Sequence, residues 1–162
     1  MVLRVVLQGK SGVEFADPPG RDLLVNDSHS FAERASAIDR AFARWDLSHL
    51  HEFRFLDGRR IRMADTDEFG DREGELDDRK ETLRAARLRV GDSFEYVFDF
   101  GDNWEHVCTL IWDDVDPTEE WGKRPAEVVP VFDWGAIPDQ YRRVTPDAED
   151  EDDGEGEAED DE

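Results

Sequence analysis

Hydrophobic and polar residues alternate most regularly between Phe94 and Trp112. Phe94, Tyr96, Phe98 and Phe100 interleave with Ser93, Glu95, Val97 and Asp99, and Trp104, His106, Cys108, Leu110 and Trp112 interleave with Glu105, Val107, Thr109 and Ile111. A period of two built from aromatic and β-branched residues predicts two strands. Gly101-Asp102-Asn103 between them suits a tight turn, with Gly101 at the positive-φ position. A three-residue loop pairs Phe100 with Trp104, Phe98 with His106, Tyr96 with Cys108 and Phe94 with Leu110. One face of the hairpin is then an aromatic wall that must be buried. On the other face Asp99 lies opposite Glu105, an unfavourable pairing of like charges.

Before this hairpin, Val2–Gln8 reads as a mostly buried strand and Leu23–Val25 as a second, short one. Ser30-Phe31-Ala32-Glu33 has the form of a capping box. The helix it opens runs to about Trp45, with Phe31, Ala35, Ile38, Phe42 and Trp45 on one apolar face. Glu33, Arg34, Asp39, Arg40 and Arg44 fall on the face expected to be solvated. Leu50–Leu56 reads as a strand carrying His51, Phe53 and Phe55 on one side. Asp57-Gly58 turns it back through Ile61–Met63. Asp65–Glu75 is expected to be a surface loop, followed by a short helix through about Ala86 capped by Asp77 or Asp78. Asp113–Pro130 is interrupted by Pro117, Pro125 and Pro130 and reads as irregular, and Phe132–Tyr141 as a segment laid against the body. The fold expected is α+β: one compact domain with a mixed or antiparallel sheet, its central aromatic hairpin at about 94–112 packed by the amphipathic helix at about 31–45.

Charge changes this picture at one end. From Asp147 onward there are 12 acidic residues and no basic one, which leaves 31 acids against all 20 basic residues in the rest of the chain. A segment of Asp, Glu, Gly and Ala has too little apolar surface to offset its ordering entropy. The division expected is therefore a domain over 1–146 and a disordered acidic tail over 147–162. The single cysteine, Cys108, excludes an intramolecular disulfide and a cysteine-based zinc framework. No long apolar run is present, so a soluble, cytoplasmic protein without membrane association is expected. An acidic body disfavours direct nucleic-acid binding.

Ala43-Arg44-Trp45-Asp46, Ser48-His49-Leu50-His51-Glu52-Phe53 and the run Tyr96-Val97-Phe98-Asp99-Phe100-Gly101-Asp102-Asn103-Trp104-Glu105-His106 together resemble the plasmid pRiA4b ORF-3-like family, also met as passenger proteins of bacterial insertion elements. The resemblance covers roughly Val2–Trp112. It implies a mixed sheet covered by helix, in a family with no settled biochemical activity. The chain departs from the family pattern after the hairpin. Many members carry a Pro-Pro-Glu-Asp-x-Gly-Gly segment there, and this chain has Trp134–Tyr141 and the acidic tail.

Candidate chemistry gathers on the histidines and the hairpin turn. His49, His51, Asp99, Asp102, Trp104 and His106 mark a binding surface. His49, His51, Asp99, Asp102 and His106 are also the residue types that ligate a divalent metal. No phosphate loop, nucleophile elbow or Ser/His/Asp order is present. The leading expectation is a non-enzymatic interaction module without cofactor, accessory to a mobile element, with a protein partner of basic character. The alternative is a metal-binding protein or metal-dependent hydrolase built on the His/Asp cluster.

Overall fold

The computed structural model describes residues 1–63, 75–122 and 126–141. The strands within them are β1 (Val2–Lys10), β2 (Val13–Glu14), β3 (Gly20–Leu24), β4 (His51–Phe55), β5 (Arg60–Arg62), β6 (Glu75–Asp77), β7 (Ser93–Phe98), β8 (Trp104–Trp112) and β9 (Val129–Trp134). The helices are α1 (Phe31–Ala41), α2 (Leu83–Ala86) and α3 (Pro117–Trp121). All nine strands join one sheet in the order β6-β5-β4-β7-β8-β1-β3-β9, with β2 on β1. The sheet is mixed: β5 and β6 pair in parallel and every other pairing is antiparallel. The architecture is thus α+β, with the aromatic hairpin at the centre of the sheet. The predicted tail and the 65–74 loop lie outside the described residues.

The alternation of β7 and β8 sets which side chains face inward. Phe94, Tyr96 and Phe98 are buried on one face together with Trp104, His106, Cys108 and Leu110. The register differs from the expected one by two residues. Phe98 pairs with Trp104, Tyr96 with His106 and Phe94 with Cys108. The cause lies in the turn, where the left-handed conformations fall on Asp99 (φ 61°) and Asn103 (φ 46°) rather than on Gly101. Asp and Asn tolerate that region because their short side chains bond locally. The loop therefore takes residues 99–103, and Asn103 N–H closes it on the Asp99 carbonyl at 2.6 Å. A shift of two preserves the faces, so the wall survives, while the Asp99–Glu105 pair does not form and Val97 stands opposite Glu105.

Helix α1 begins as expected. The Ser30 hydroxyl accepts from Glu33 N–H at 3.2 Å, and Ser30 N–H donates to the Glu33 carboxylate at 2.6 Å. Phe31, Ala35, Ile38 and Phe42 are fully buried against the wall, and the Phe31 ring meets Phe53, Phe55 and Phe94 edge-on at 4.9–5.9 Å. The helix ends before Trp45, which is exposed. Ala43 takes a left-handed φ of 52°, Ala43 N–H bonds to the Arg40 carbonyl and Arg44 N–H to the Asp39 carbonyl at 2.8 Å. This is a Schellman ending with alanine where glycine is usual. It turns Arg44 inward. Arg34, Asp39 and Arg44, expected in solvent, are all buried.

Other differences follow from interactions distant in sequence. Thr82, not Asp77 or Asp78, caps α2 through its hydroxyl. Within the segment expected to be irregular, α3 forms on an Asp116 cap with proline in its first turn. The end of that stretch and the start of the segment expected merely to lie on the body together form β9, which pairs with β3. Gly20 is required there: a Cβ would sit 2.0 Å from the Trp134 ring. No described helix is long and apolar enough to cross a membrane.

Candidate functional site

The α1–β4 connection, the hairpin turn and residues 140–141 meet at one edge of the wall. Gln140 is buried and organises the meeting. Its side-chain oxygen accepts from Trp45 N–H and Asp46 N–H, both at 3.1 Å, and its amide nitrogen donates to the Asp46 carbonyl at 3.0 Å. Tyr141 donates its hydroxyl proton to Asp46 at 2.8 Å and packs edge-on against Trp45. Hydrogen bonds from Ser48 and then Tyr141 pull the Asp46 carboxyl down to about 2, and the same Asp46 contact pushes the Tyr141 phenol up to about 12.

The residues singled out from the sequence divide among four environments. His49 lies in this edge: its Nε2 is 2.7 Å from Tyr141 Oη and 3.4 Å from Asp46, and its Nδ1 is 3.5 Å from Asp99. Asp99 Oδ1 also accepts from Gly101 N–H and Asp102 N–H, which holds the turn. Asp102 faces away, paired with Lys10 Nζ at 2.6 Å. His51 opens β4 and is buried with Nε2 2.7 Å from Asp78 Oδ2. Trp104 and His106 are in the core. His106 Nδ1 faces the Tyr96 carbonyl at 3.1 Å, so this nitrogen carries the proton. Burial, reinforced by the positive charge of Arg44, holds its pKa down to about 3 and keeps the ring neutral. The structure thus joins His49 to Asp99 and sends His51, Asp102 and His106 to separate partners. Among the described residues no three His, Cys, Asp or Glu side chains are grouped to hold a metal ion.

Beside His49, a cleft of about 300 Å³ opens between α1, the α1–β4 connection and the ends of β5 and β6. Asp39, His51 and Asp78 form its buried side, Leu47 and Met63 its exposed rim. Asp39 accepts the Tyr96 hydroxyl proton at 2.8 Å. Burial pushes its carboxyl up to about 6, against the opposing pull of Tyr96, His51, Arg44 and Arg40. Asp39, Asp78, Leu47 and Met63 were missed from the sequence. For Asp39 a signal existed: it follows Ala35 by four and precedes Phe42 by three, which places it at the margin of the apolar stripe.

Arg44 lies behind Asp39 with its guanidinium carbon 3.8 Å from the centre of the Trp104 ring. Burial lowers its pKa to about 10, and the Asp39 carboxylate opposes that shift. Among the described residues none of its three nitrogens has a hydrogen-bond partner, nor do Trp104 Nε1 and His106 Nε2.

Comparison with known proteins supplies kinship but no activity. The family model described as "Plasmid pRiA4b ORF-3-like protein" matches residues 3–153, well beyond the stretch whose residues carry the resemblance. "Uncharacterized protein y4hQ" of Sinorhizobium fredii (strain NBRC 101917 / NGR234) is 40% identical over 78 residues, which are 48% of this chain and 38% of the relative. A crystal structure titled as the protein of unknown function MM3350 from Methanosarcina mazei Go1 is similar with a TM-score of 0.54 at 21% identity, over 81% of this chain and 61% of that one. That likeness is one of fold.

Proposed function

The chain belongs to the plasmid pRiA4b ORF-3-like family, and from that premise we propose that it is a non-enzymatic binding module, accessory to a mobile genetic element, that engages a basic protein partner at the edge around His49. The observation that carries this reading is an exposed apolar rim set in acidic surroundings. Trp45, Leu47, Leu50, Met63 and Tyr141 are all exposed, and Leu47, Met63 and His49 share one cleft with two buried aspartates. Asp46 and Asp99 flank His49 from the other side. Exposed apolar groups collected at one place mark interaction surfaces, and the excess of acids favours a partner of opposite sign.

Selection of a displayed random-peptide library on the full chain tests the reading. Peptides enriched in Lys or Arg beside apolar residues are expected, with binding lost on Leu47→Asp. Enrichment of acidic peptides, or binding indifferent to Leu47→Asp, overturns it. The metal-dependent alternative has no comparable observation in its favour, because its five residues do not converge.

A further inference from the structure

We infer that the floor of the cleft receives a cationic side chain, an ammonium or guanidinium on its alkyl stem, from the partner's basic segment. The inference deepens the reading above and rests on it. Its ground is the kind of polar atom the cleft presents. Asp39 gives one oxygen to Tyr96, and Asp78 gives one oxygen to His51. Each has a second carboxylate oxygen for which no described residue supplies a donor, and both side chains are more than nine-tenths buried. His51 places Nε2 2.7 Å from Asp78 and donates that N–H to it. Ser36 at the helix margin accepts from Arg40. The floor therefore offers two carboxylate oxygens that no described donor matches, and their complement is a group that donates.

The walls fit the rest of such a side chain. Ala32, Leu47 and Met63 line the approach, and lysine and arginine bury their methylene stems against surfaces of this kind. Arg79, the one arginine or lysine among the described lining residues, is tied to Asp77 at 3.2 Å. A bound cation also places a charge beside a carboxylate that is otherwise costly to ionise there.

The probe is n-butylammonium, with n-butanol as its uncharged counterpart, titrated into the isotopically labelled full chain and followed by backbone amide shifts. Saturable shifts at Asp39, His51 and Asp78 with the amine and none with the alcohol are expected, and Asp39→Asn is expected to weaken binding at least tenfold. Ser36→Leu, which fills the cleft from the exposed helix margin, gives the same loss without altering a buried charge and carries the test if Asp39→Asn does not fold. Binding is also expected to weaken from pH 7.5 to 5.5 as Asp39 takes up a proton near 6. His51, Arg44, Arg40 and Tyr96 act on that group, and His49, Asp78 and Arg79 share its cleft. Equal shifts from amine and alcohol, or a folded Asp39→Asn or Ser36→Leu chain that binds unchanged, overturn the inference.

Selected peptides separate its failure from that of the surface reading. Replacing their Lys or Arg by norleucine is expected to cost at least tenfold in affinity. Peptides that need Leu47 but ignore this replacement overturn the cationic pocket alone. If selection yields no basic peptides, the surface reading fails, and a cleft that still takes the amine is one for a small free amine instead.

Discussion

The two ends of the aromatic wall are equally buried and built on opposite principles. At one end Phe31, Phe53, Phe55 and Phe94 pack ring against ring at 4.9–6.0 Å with no polar atom among their side chains. At the other, Tyr96, Trp104 and His106 share the interior with Asp39 and Arg44, and five buried side-chain nitrogens there lack a hydrogen-bond partner among the described residues. The dry end rests on volume and shape, with one buried charge at its margin, the Arg34 guanidinium 5.3 Å from the centre of the Phe31 ring. The polar end has to hold charge in a place where charge is costly, and it is the end that opens into the cleft. On the proposed reading, stability and binding fall to opposite ends of one surface.

Substitutions separate the two principles. Phe53→Ala at the dry end should cost about 3–5 kcal/mol, the usual loss when a fully buried aromatic is truncated, and urea unfolding measures it. The polar end should instead reveal itself through pH. His106 moves from 6.5 in an unfolded chain to about 3 when folded. Below pH 6.5 the unfolded chain therefore takes up a proton that the buried ring refuses, and stability is lost as pH falls toward 3, by on the order of a few kcal/mol. Asp39 works in the opposite direction. Its carboxyl rises from 3.8 to about 6, so the folded chain binds the extra proton and gains stability as pH falls through that interval. His106→Phe should flatten the acid limb of a melting-temperature profile, and Asp39→Asn should steepen it. A profile that neither variant changes would remove the distinction between the two ends.

Smaller effects sharpen it. Tyr96→Phe leaves Asp39 without its hydroxyl donor and should cost about 1–3 kcal/mol, read by the same unfolding curves. Ser30→Ala removes the cap at the dry end of α1 and should cost about 1 kcal/mol. Arg44→Met should cost least, within about 1 kcal/mol of zero or stabilising, because a flexible apolar side chain of similar length replaces a buried cation with no hydrogen-bond partner among the described residues. A large loss there would show that Arg44 does possess partners in solution.

What the sequence made legible was periodic, and what it concealed was conformational. The inward faces of β7 and β8 follow from alternation and survive the shift in register, because a shift of two leaves side-chain parity intact. The shift itself depends on Asp99 and Asn103 adopting left-handed backbone, which their identity permits but does not require. Likewise the capping box of α1 was readable, whereas its end was not: Ala43 carries none of the signal a glycine would have given. From that one residue follow the burial of Arg44 and the exposure of Trp45. Of the residues marked in advance, His49 and His51 do line the cleft. Their partners there, Asp39 and Asp78, are supplied by elements remote in sequence, and no local pattern announces such pairs.

The pairing of β1 with β8 bears on how the chain is made. β1 lies in the sheet between β3, a near neighbour in sequence, and β8, which follows much later. On a ribosome, β1 and β3 can zip together early, yet one edge of β1 stays without its strand until Trp112 has emerged. Closing β9 onto β3 waits longer still. During that interval Val5 and Leu7 sit beside an open ladder, the kind of edge that recruits other chains. High expression should therefore be limited by nascent-chain association, and slower translation or an available chaperone should raise the soluble yield more than a stabilising substitution in the dry end does.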